Sequence, residues 1–140
     1  MEKHNGYFKK IDFVFFNAGK IRELVKEAKM GASIEHNTNG SGVSDPTAAE
    51  AMHNMMPIRF ITLQGNRLEW PERWLHVVDM VYLLCDEFLL AVLRAKYNNE
   101  NYKTTCRRLS IAQSTHSKMI AKIKHYQELC AVQEGLIRIF

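Results

Sequence analysis

The sequence lacks a run of apolar residues long enough to span a membrane. Its longest apolar stretch, residues 77–93, is interrupted by Asp79, Asp86 and Glu87, whereas a membrane-spanning helix requires roughly 20 apolar residues in succession. The first six residues are polar and mixed in charge, and they carry no apolar signal core. We therefore expect a cytoplasmic protein without a membrane partner.

Patterns typical of disulfide frameworks, metal sites and several enzyme classes are also lacking. The three cysteines, Cys85, Cys106 and Cys130, are odd in number and far apart, so they are expected to be reduced packing residues. No two of the six histidines form an HxxxH or HExxH pair. The sequence contains no Walker loop, GxGxxG or GxSxG motif. These absences favour a protein that is not an enzyme and binds no metal or cofactor.

The composition that is present can build a core. The chain has 140 residues, of which 46% are hydrophobic, enough for one domain or two compact helical subdomains. The net charge of +4 is unevenly distributed: residues 94–124 contain eight basic residues and one acidic residue, Glu100, and the rest of the chain is net negative. Such a basic segment is either a solvated helix surface or a binding site for a polyanion such as DNA.

The first half of the chain predicts helices, a loop and one extended segment. After a short polar lead, residues 17–30 are predicted to be helical, with four apolar residues at helical spacing: Ile21, Leu24, Val25 and Ala28. Residues 31–45 are rich in Gly, Ser and Asn, which is typical of a mobile loop or linker. Asp45 and Pro46 are suited to begin a short helix after it.

An extended segment is predicted between the two halves. Residues 58–63, followed by the turn residues 64–66, indicate a short strand or hairpin. At the other end of the chain, Gly135 can end a helix, and residues 136–140 could pair with 58–63 as a second strand. That pairing could form within one chain or between two.

Three helices are predicted between residues 71 and 109. Pro71 opens the first, whose buried stripe is expected to comprise Trp74, Leu75, Val78, Val81, Leu84 and Cys85. Asp86 and Glu87 can start a second helix that runs to Tyr97. A polar turn over residues 98–101 then leads into a third helix, which ends near Leu109.

The segment from Thr104 to Ile120 resembles a helix-turn-helix. Cys106 is expected to be the small residue where the two helices cross, and Ile111 to fill the core under the turn. The second helix, over about 113–130, would then project into a major groove of DNA. Its inward face is predicted to contain Met119, Ile120, Ile123, Leu129 and Cys130.

The outward face of this helix supplies the candidate DNA-binding residues. The candidates for reading base edges are Gln113, Ser114, Ser117, Lys118 and Lys122, of which the two lysines could reach either guanines or phosphates. The candidates for phosphate contacts are Lys103, Arg107, Arg108, Lys124 and His125. For every one of these residues, the alternative interpretation is ordinary solvent exposure.

Two residues depart from the usual helix-turn-helix pattern. Ser110 stands in the turn where glycine is commonest, which predicts a looser turn or a less left-handed backbone. His116 stands where valine or isoleucine is usual, and it is expected to be a half-buried packing residue.

The order and spacing of several short motifs extend this similarity over about residues 17–130. The motifs are Gly42-Val43-Ser44-Asp45-Pro46-Thr47 before an Ala-rich helix, Glu72-Arg73-Trp74, Tyr102-Lys103-Thr104-Thr105-Cys106-Arg107-Arg108-Leu109-Ser110-Ile111, and Ser114-Thr115. Together they resemble phage and prophage transcriptional regulators of the ArpU/RinA type, whose C-terminal half is similar to the fourth region of sigma factors. The resemblance implies DNA-binding control of late phage genes in a bacterial host.

The fold expected from these observations is mainly α: a multi-helix bundle with a C-terminal helix-turn-helix and one short β pairing. Residues 1–70 would form an N-terminal helical region and residues 71–140 a DNA-binding domain similar to the fourth region of sigma factors. Double-stranded DNA is the expected partner. A homodimer is also expected, because two recognition helices double the DNA contacts and because the apolar stripe at Leu83, Phe88, Leu89 and Leu90 exceeds what a small core can bury.

Two other functions fit the same features. The first is a DNA-packaging component similar to a phage terminase small subunit, which would assemble into rings. The second is a protein-interaction module that kept the fold without affinity for DNA and contacts RNA polymerase, as sigma factors do.

Overall fold

The computed structural model describes residues 2–38 and 56–138, with side chains described for residues 6–30 and 56–138. Within these ranges the chain is mainly helical with one two-stranded antiparallel sheet, which confirms the predicted fold class. The elements are α1 (Glu2–Phe16), α2 (Ala18–Thr38), β1 (Phe60–Leu63), β2 (Asn66–Glu69), α3 (Pro71–Leu84), α4 (Glu87–Tyr97), α5 (Tyr102–Leu109) and α6 (Gln113–Gln133).

The chain divides into two compact units. The helical unit comprises residues 1–17 and 73–140, and the hairpin unit comprises residues 18–72. The predicted division near residue 70 therefore lies close to one boundary of these units, but α1 belongs with the C-terminal helices. Each unit has its own buried apolar side chains.

Helix α1 replaces the polar lead that was expected before residue 17. Ile11, Val14 and Phe15 are buried, and their spacing of three and four residues places them on one face of a helix. The interpretation of residues 2–16 as a polar lead was wrong. The apolar stripe of α1 is only about one and a half turns long, and charged residues surround it, so the helical pattern is weak in the sequence.

Helix α2 is longer than the helix predicted over residues 17–30. It continues to Thr38, so the predicted loop over 31–45 is wrong for residues 31–38. A glycine inside a helix costs only about 1 kcal/mol relative to alanine, and Gly31 therefore does not end α2. The remainder of that loop, and the helix predicted after Pro46, lie outside the described residues. Of the predicted apolar stripe, Ile21 is fully buried and Ala28 is exposed.

The predicted hairpin is confirmed, but with a different second strand. β1 pairs with β2, with Phe60 opposite Glu69 and Leu63 opposite Asn66. Gln64 and Gly65 both have positive φ angles, 53° and 76°, as the tight turns that match strand twist require. Residues 136–138 form no strand in the structure, so the pairing predicted between 136–140 and 58–63 within one chain is wrong for these residues, and a pairing between two chains stays a prediction. Pairing of β1 with β2 is favoured because the two strands are joined by a two-residue turn, which closes at little entropic cost.

The hairpin is held by contacts within its own unit. Ile61, Leu63 and Leu68 are buried. The Glu72 carboxylate accepts a hydrogen bond from the Ile58 amide at 2.9 Å and from Lys29 Nζ at 2.9 Å. This carboxylate therefore connects α2 to the segment that enters β1.

Helices α3 and α4 supply much of the core of the helical unit. The predicted stripe of α3 is confirmed at Trp74, Leu75, Val78, Val81 and Cys85, all of which are buried. Leu84 is 44% exposed, so its predicted burial is wrong: α3 ends at this residue, and Cys85 in the following link takes its place in the core. Asp86 caps α4 as predicted, because its Oδ1 accepts a hydrogen bond from the Leu89 amide at 2.8 Å.

Helix α6 ends where the sequence predicts. Gly135 adopts a φ of 73°, and the amides of Gly135 and Leu136 donate to the carbonyls of Val132 and Ala131 at 2.9 and 3.0 Å. These two bonds form the Schellman motif that a left-handed glycine allows. Beyond it, Ile137 returns to the core.

Candidate nucleic-acid interface

The tight turn between α5 and α6 consists of Ser110, Ile111 and Ala112. The Ser110 amide donates to the Arg107 carbonyl and the Ile111 amide to the Cys106 carbonyl at 3.0 Å, which is again a Schellman motif. Ser110 has φ 56° and ψ 47°. The prediction of a looser or less left-handed turn is therefore wrong: serine adopts the full left-handed conformation because the two hydrogen bonds define the turn.

The two helices begin differently. Asn101 caps α5, because its side-chain oxygen accepts a hydrogen bond from the Lys103 amide at 2.8 Å. At the start of α6, Ala112 occupies the capping position and provides no side-chain hydrogen bond. The amides of the first turn of α6 therefore receive no hydrogen bond from a capping side chain.

The inward face of α6 is largely as predicted. Ile123 and Cys130 are buried, and Met119 and Ile120 are half-buried. Leu129 is 42% exposed, so its predicted inward position is wrong. At about 100° per residue, Leu129 is turned roughly 120° away from Ile123. Gln127, only about 40° from Ile123, is the residue that is fully buried.

The crossing of α5 with its neighbours is made by a different residue from the one predicted. Cys106 is only half-buried, whereas Thr105 is 1% exposed. The Thr105 hydroxyl donates to Glu100 Oε1 at 2.8 Å, so its polar group is satisfied. The sequence could have indicated Glu100 as a hydrogen-bond acceptor, because it is the single acidic residue in the basic segment. Ile111, expected under the turn, is half-buried.

All five candidates for base reading are exposed: Gln113, Ser114, Ser117, Lys118 and Lys122. Helical geometry does not place them on one line. Ser114, Lys118 and His125 are four and seven residues apart, so their directions around the axis of α6 differ by at most about 40°. This row lies directly opposite the buried face. Lys122 flanks this row on one side, and Ser117 and Gln113 lie progressively further round the other side.

The candidates for phosphate contacts fall into two groups. Lys103 and Arg107 on α5, and His125 on α6, are exposed, and none of the three forms an ion pair within the described ranges. Arg108 differs, because its Nε and Nη2 both donate to Glu100 Oε1, at 3.2 and 3.1 Å. Hydrogen bonds from the Thr105 hydroxyl and then from Arg108 hold the pKa of the Glu100 carboxyl below its usual range. The charge of Arg108 is therefore already balanced.

Lys124 is separated from the other lysines of α6. Its Nζ lies 5.6 Å from the centre of the Phe8 ring on α1, and it is turned by about 120° from Lys118. The structure thus leaves four basic residues with an unpaired charge on the outer surfaces of α5 and α6. These are Lys103, Arg107, Lys118 and Lys122.

A buried polar connection, which the sequence did not reveal, anchors α6 from within. Gln127 Nε2 donates to the Tyr97 hydroxyl at 2.7 Å, and this hydroxyl donates to Asp12 Oδ1 at 2.7 Å. Burial, together with the nearby Asp12 carboxylate, raises the pKa of Tyr97 well above its usual value. Three helices, α1, α4 and α6, are joined by this chain of hydrogen bonds. Packing of Phe15 and Phe16 against the Tyr97 ring, at centroid distances of 5.2 and 4.8 Å, reinforces it.

The junction between α3 and α4 exposes apolar side chains. Leu83 is 80% exposed and Phe88 is 49% exposed, in line with part of the apolar stripe assigned to self-association. Leu89, assigned to the same stripe, is buried and Leu90 is half-buried, so these two contribute to the core instead. The reason is that Asp86 starts a new helix in which Leu89 lies on the same face as the buried Val92 and Leu93.

The comparisons with known proteins add no relative. No protein-family model matches the sequence, and neither the curated proteins nor the solved structures contain a match. Among the helices of the described ranges, none is both long and apolar enough to cross a membrane. No group of three or more metal-ligating side chains occurs in the part of the chain that the structure describes.

Proposed function

We propose that this protein is a sequence-specific DNA-binding transcriptional regulator that inserts α6 into the major groove. The observation that carries the proposal is a tight-turned helix pair, α5 and α6, whose outer surface presents four unpaired basic side chains. The resemblance to phage regulators of the ArpU/RinA type supports the further proposal that its targets are late phage genes. Double-stranded DNA is then the partner, in the cytoplasm of a bacterial host.

The dimensions of α6 suit this role. Its 21 residues extend over about 31 Å at 1.5 Å per residue, and its N-terminal turns carry the short polar side chains Gln113, Ser114 and Ser117. Such side chains can approach base edges closely, while the lysines further along reach guanine or phosphate oxygens. The uncapped amides at the start of α6 would add a phosphate contact.

The proposal divides the basic residues by role. Lys118 lies in the outermost row of α6 and is assigned to base reading. Arg107, on α5, is assigned to the DNA backbone, together with Lys103. Arg108 and Lys124 are assigned lesser roles, because one is paired with Glu100 and the other faces α1.

A homodimer is part of the proposal, since one recognition helix covers only a few base pairs. The exposed Leu83 and Phe88 offer an apolar contact surface. A dimer would recognise a palindromic site with half-sites about 10 base pairs apart, or a multiple of that spacing. RNA polymerase remains a proposed second partner.

The experiment is a selection of bound sequences from a random duplex library at near-physiological salt. The test variant reverses the charge at Lys118 and Lys122 together. The control variant reverses Lys20 and Lys26, two exposed lysines of α2, so that the total charge changes equally. We expect a motif that the control retains and the test variant loses, because only the α6 lysines face the bases.

The division of roles is tested by single variants. Lys118→Glu should weaken binding by about 1 to 3 kcal/mol and relax the preference at one base position. Arg107→Glu should weaken binding to all duplexes alike. If both variants behave identically on every duplex, the assignment of base-reading and backbone residues is wrong. Recovery of no motif from a folded protein, or equal loss in the control, would overturn the proposed function, and a ring-sized mass in solution would favour packaging instead.

A further inference from the structure

A cleft of about 440 Å³ lies within the helical unit, away from the outer face of α6. Four helices and the turn before α5 contribute to it. Its walls are formed by Phe8, Asp12, Lys96, Glu100, Tyr102, Thr105, His116, Ile120 and Lys124. The volume falls within the range of about 300 to 1,000 Å³ that small-molecule sites occupy.

The two carboxylates of the cleft are already paired. Asp12 accepts a hydrogen bond from the Tyr97 hydroxyl and lies 3.5 Å from Lys96 Nζ. Glu100 accepts hydrogen bonds from Thr105 and Arg108. Neither acid is therefore left to attract a cation into the cleft.

Three hydrogen-bond donors of the cleft are not paired. Among the described residues, no hydrogen bond or ion pair is made by the Lys124 ammonium, the His116 ring or the Tyr102 hydroxyl. The Lys124 ammonium lies 5.6 Å from the centre of the Phe8 ring, and the His116 ring lies 6.2 Å from the Tyr102 ring, centre to centre. Donors without acceptors at the edge of a cleft select an anion or another acceptor group.

Two ammonium groups of the cleft, those of Lys96 and Lys124, repel each other. Burial of Lys96, followed by the effect of nearby charges that include a repulsive contribution from Lys124, leaves its pKa below the usual value even with Asp12 beside it. A bound anion would relieve the repulsion between these two ammonium groups. Phe8 and Ile120 also line the cleft, and their apolar side chains can cover a ring or a short aliphatic chain.

We propose that this cleft binds a small organic anion, a monocarboxylate with an apolar body about the size of one ring. Lys124, His116 and Tyr102 hold its carboxylate, and Phe8 and Ile120 cover its apolar body. The site is contacted by α1 and by both helices of the helix-turn-helix. Occupancy would therefore change DNA affinity, a consequence that rests on the proposed function, whereas binding itself does not.

Benzoate, benzamide and acetate are suitable probes, because they separate the charge from the ring. Each is titrated into the full chain while backbone amide chemical shifts are followed by NMR. We expect saturable shifts at Phe8, His116 and Ile120 with benzoate. Benzamide, which lacks the charge, and acetate, which lacks the ring, should each bind at least about tenfold more weakly, as loss of a charge-assisted hydrogen bond or of an apolar contact requires.

Variants test the donors directly. Lys124→Met keeps the apolar stem and removes the charge, and it should weaken benzoate binding at least about tenfold. Tyr102→Phe keeps the ring and should weaken binding by a smaller factor. Lys26→Met, at an exposed lysine of α2, is the matched control and should bind benzoate as the unchanged protein does. The amide spectrum of each variant reports whether it is folded.

The outcomes distinguish binding of the anion in the cleft from its effect on DNA affinity. Equal binding of benzoate and benzamide, or undiminished binding by both donor variants, overturns the site. Benzoate binding in a protein that does not bind DNA supports the site and overturns the proposed function. Benzoate binding that leaves DNA affinity unchanged supports the site and overturns only the coupling.

Discussion

The hydrogen-bonded chain of Gln127, Tyr97 and Asp12 allows a quantitative prediction about how α6 is held in place. Tyr97→Phe removes the hydroxyl and with it both hydrogen bonds, each 2.7 Å long. Asp12 is partly exposed and lies beside Lys96, so losing one bond there should cost only about 0.5 to 1.5 kcal/mol.

The larger cost arises at Gln127, which is 0% exposed. Its Nε2 would lose the Tyr97 hydroxyl, and its Oε1 already has no hydrogen-bond partner in the described ranges. A buried donor without a partner costs about 1 to 3 kcal/mol. The total expected decrease in the free energy of unfolding for Tyr97→Phe is therefore about 1.5 to 4.5 kcal/mol.

Gln127→Met should behave differently. Methionine has a similar length and no group that needs a hydrogen bond, so the variant removes the unsatisfied Oε1 together with the amide nitrogen. We expect its stability to lie within about 1 kcal/mol of the unchanged protein, because removing both polar groups is close to neutral. In the double variant, Tyr97→Phe should then cost only the bond to Asp12.

Urea unfolding followed by far-UV circular dichroism measures all four proteins of this double-mutant cycle. The expected coupling energy between the two positions is about 1 to 3 kcal/mol. Additive effects of the two substitutions would refute the reasoning, because additivity would mean that the amide of Gln127 does not depend on the hydroxyl. A Tyr97→Phe variant as stable as the unchanged protein would refute it as well.

Three further predictions concern the turn, a helix cap and a carboxylate. Ser110→Gly should raise the free energy of unfolding by up to about 1 kcal/mol, because the backbone there is left-handed, and urea unfolding measures the gain. Asp86→Ala should lower it by about 0.5 to 2 kcal/mol through loss of the cap on the Leu89 amide, measured in the same way. Burial raises the pKa of Glu72, but hydrogen bonds from the Ile58 amide and Lys29 outweigh it and hold the pKa below its ordinary value of 4.5. Its contribution to stability should therefore be present at neutral pH and disappear as the pH falls through and below that value, and Glu72→Gln should flatten this acid-side decline in a pH series of unfolding curves.

Each of these predictions has a control. Ser110→Ala retains a Cβ in the left-handed turn and should not stabilise the protein. Asp86→Asn keeps a capping oxygen and should recover most of the loss caused by alanine. For the pH series, Glu69→Gln on the exposed strand should leave the acid-side decline unchanged. A stabilised Ser110→Ala, an unstable Asp86→Asn or an unaltered decline in Glu72→Gln would contradict the respective argument.

Much of the helical unit could be predicted from local patterns. Pro71, Asp86, Asn101 and Gly135 mark the ends of helices through backbone geometry and capping, which depend on a few neighbouring residues. The hairpin at 60–69 follows equally from a short apolar run and a turn that accepts positive φ angles. The exposure of the candidate residues on α6 also follows from helical periodicity.

Predictions that depended on residues distant in the sequence were wrong more often. The strand partner of 58–63 was assigned to the end of the chain, although the hairpin satisfies the same hydrogen bonds locally. The end of α2 was placed too early, because a glycine and several polar residues do not by themselves end a helix. Spacing alone predicts that Leu84 and Leu129 lie in the core, but both are exposed, because burial also requires an opposing surface.

The sequence by itself determined a mainly helical chain, a basic segment over residues 94–124 and the position of a turn between two helices, because these depend on composition and on neighbours a few positions apart. Only the tertiary structure decided which charges remain unpaired and which polar groups are buried. Arg108 pairs with Glu100, Thr105 and Gln127 are buried, and the hydrogen bond from Gln127 to Tyr97 joins two helices. It also formed the cleft between α1 and α6, since residues more than 100 positions apart in the sequence, such as Phe8 and Lys124, meet only when the helices pack.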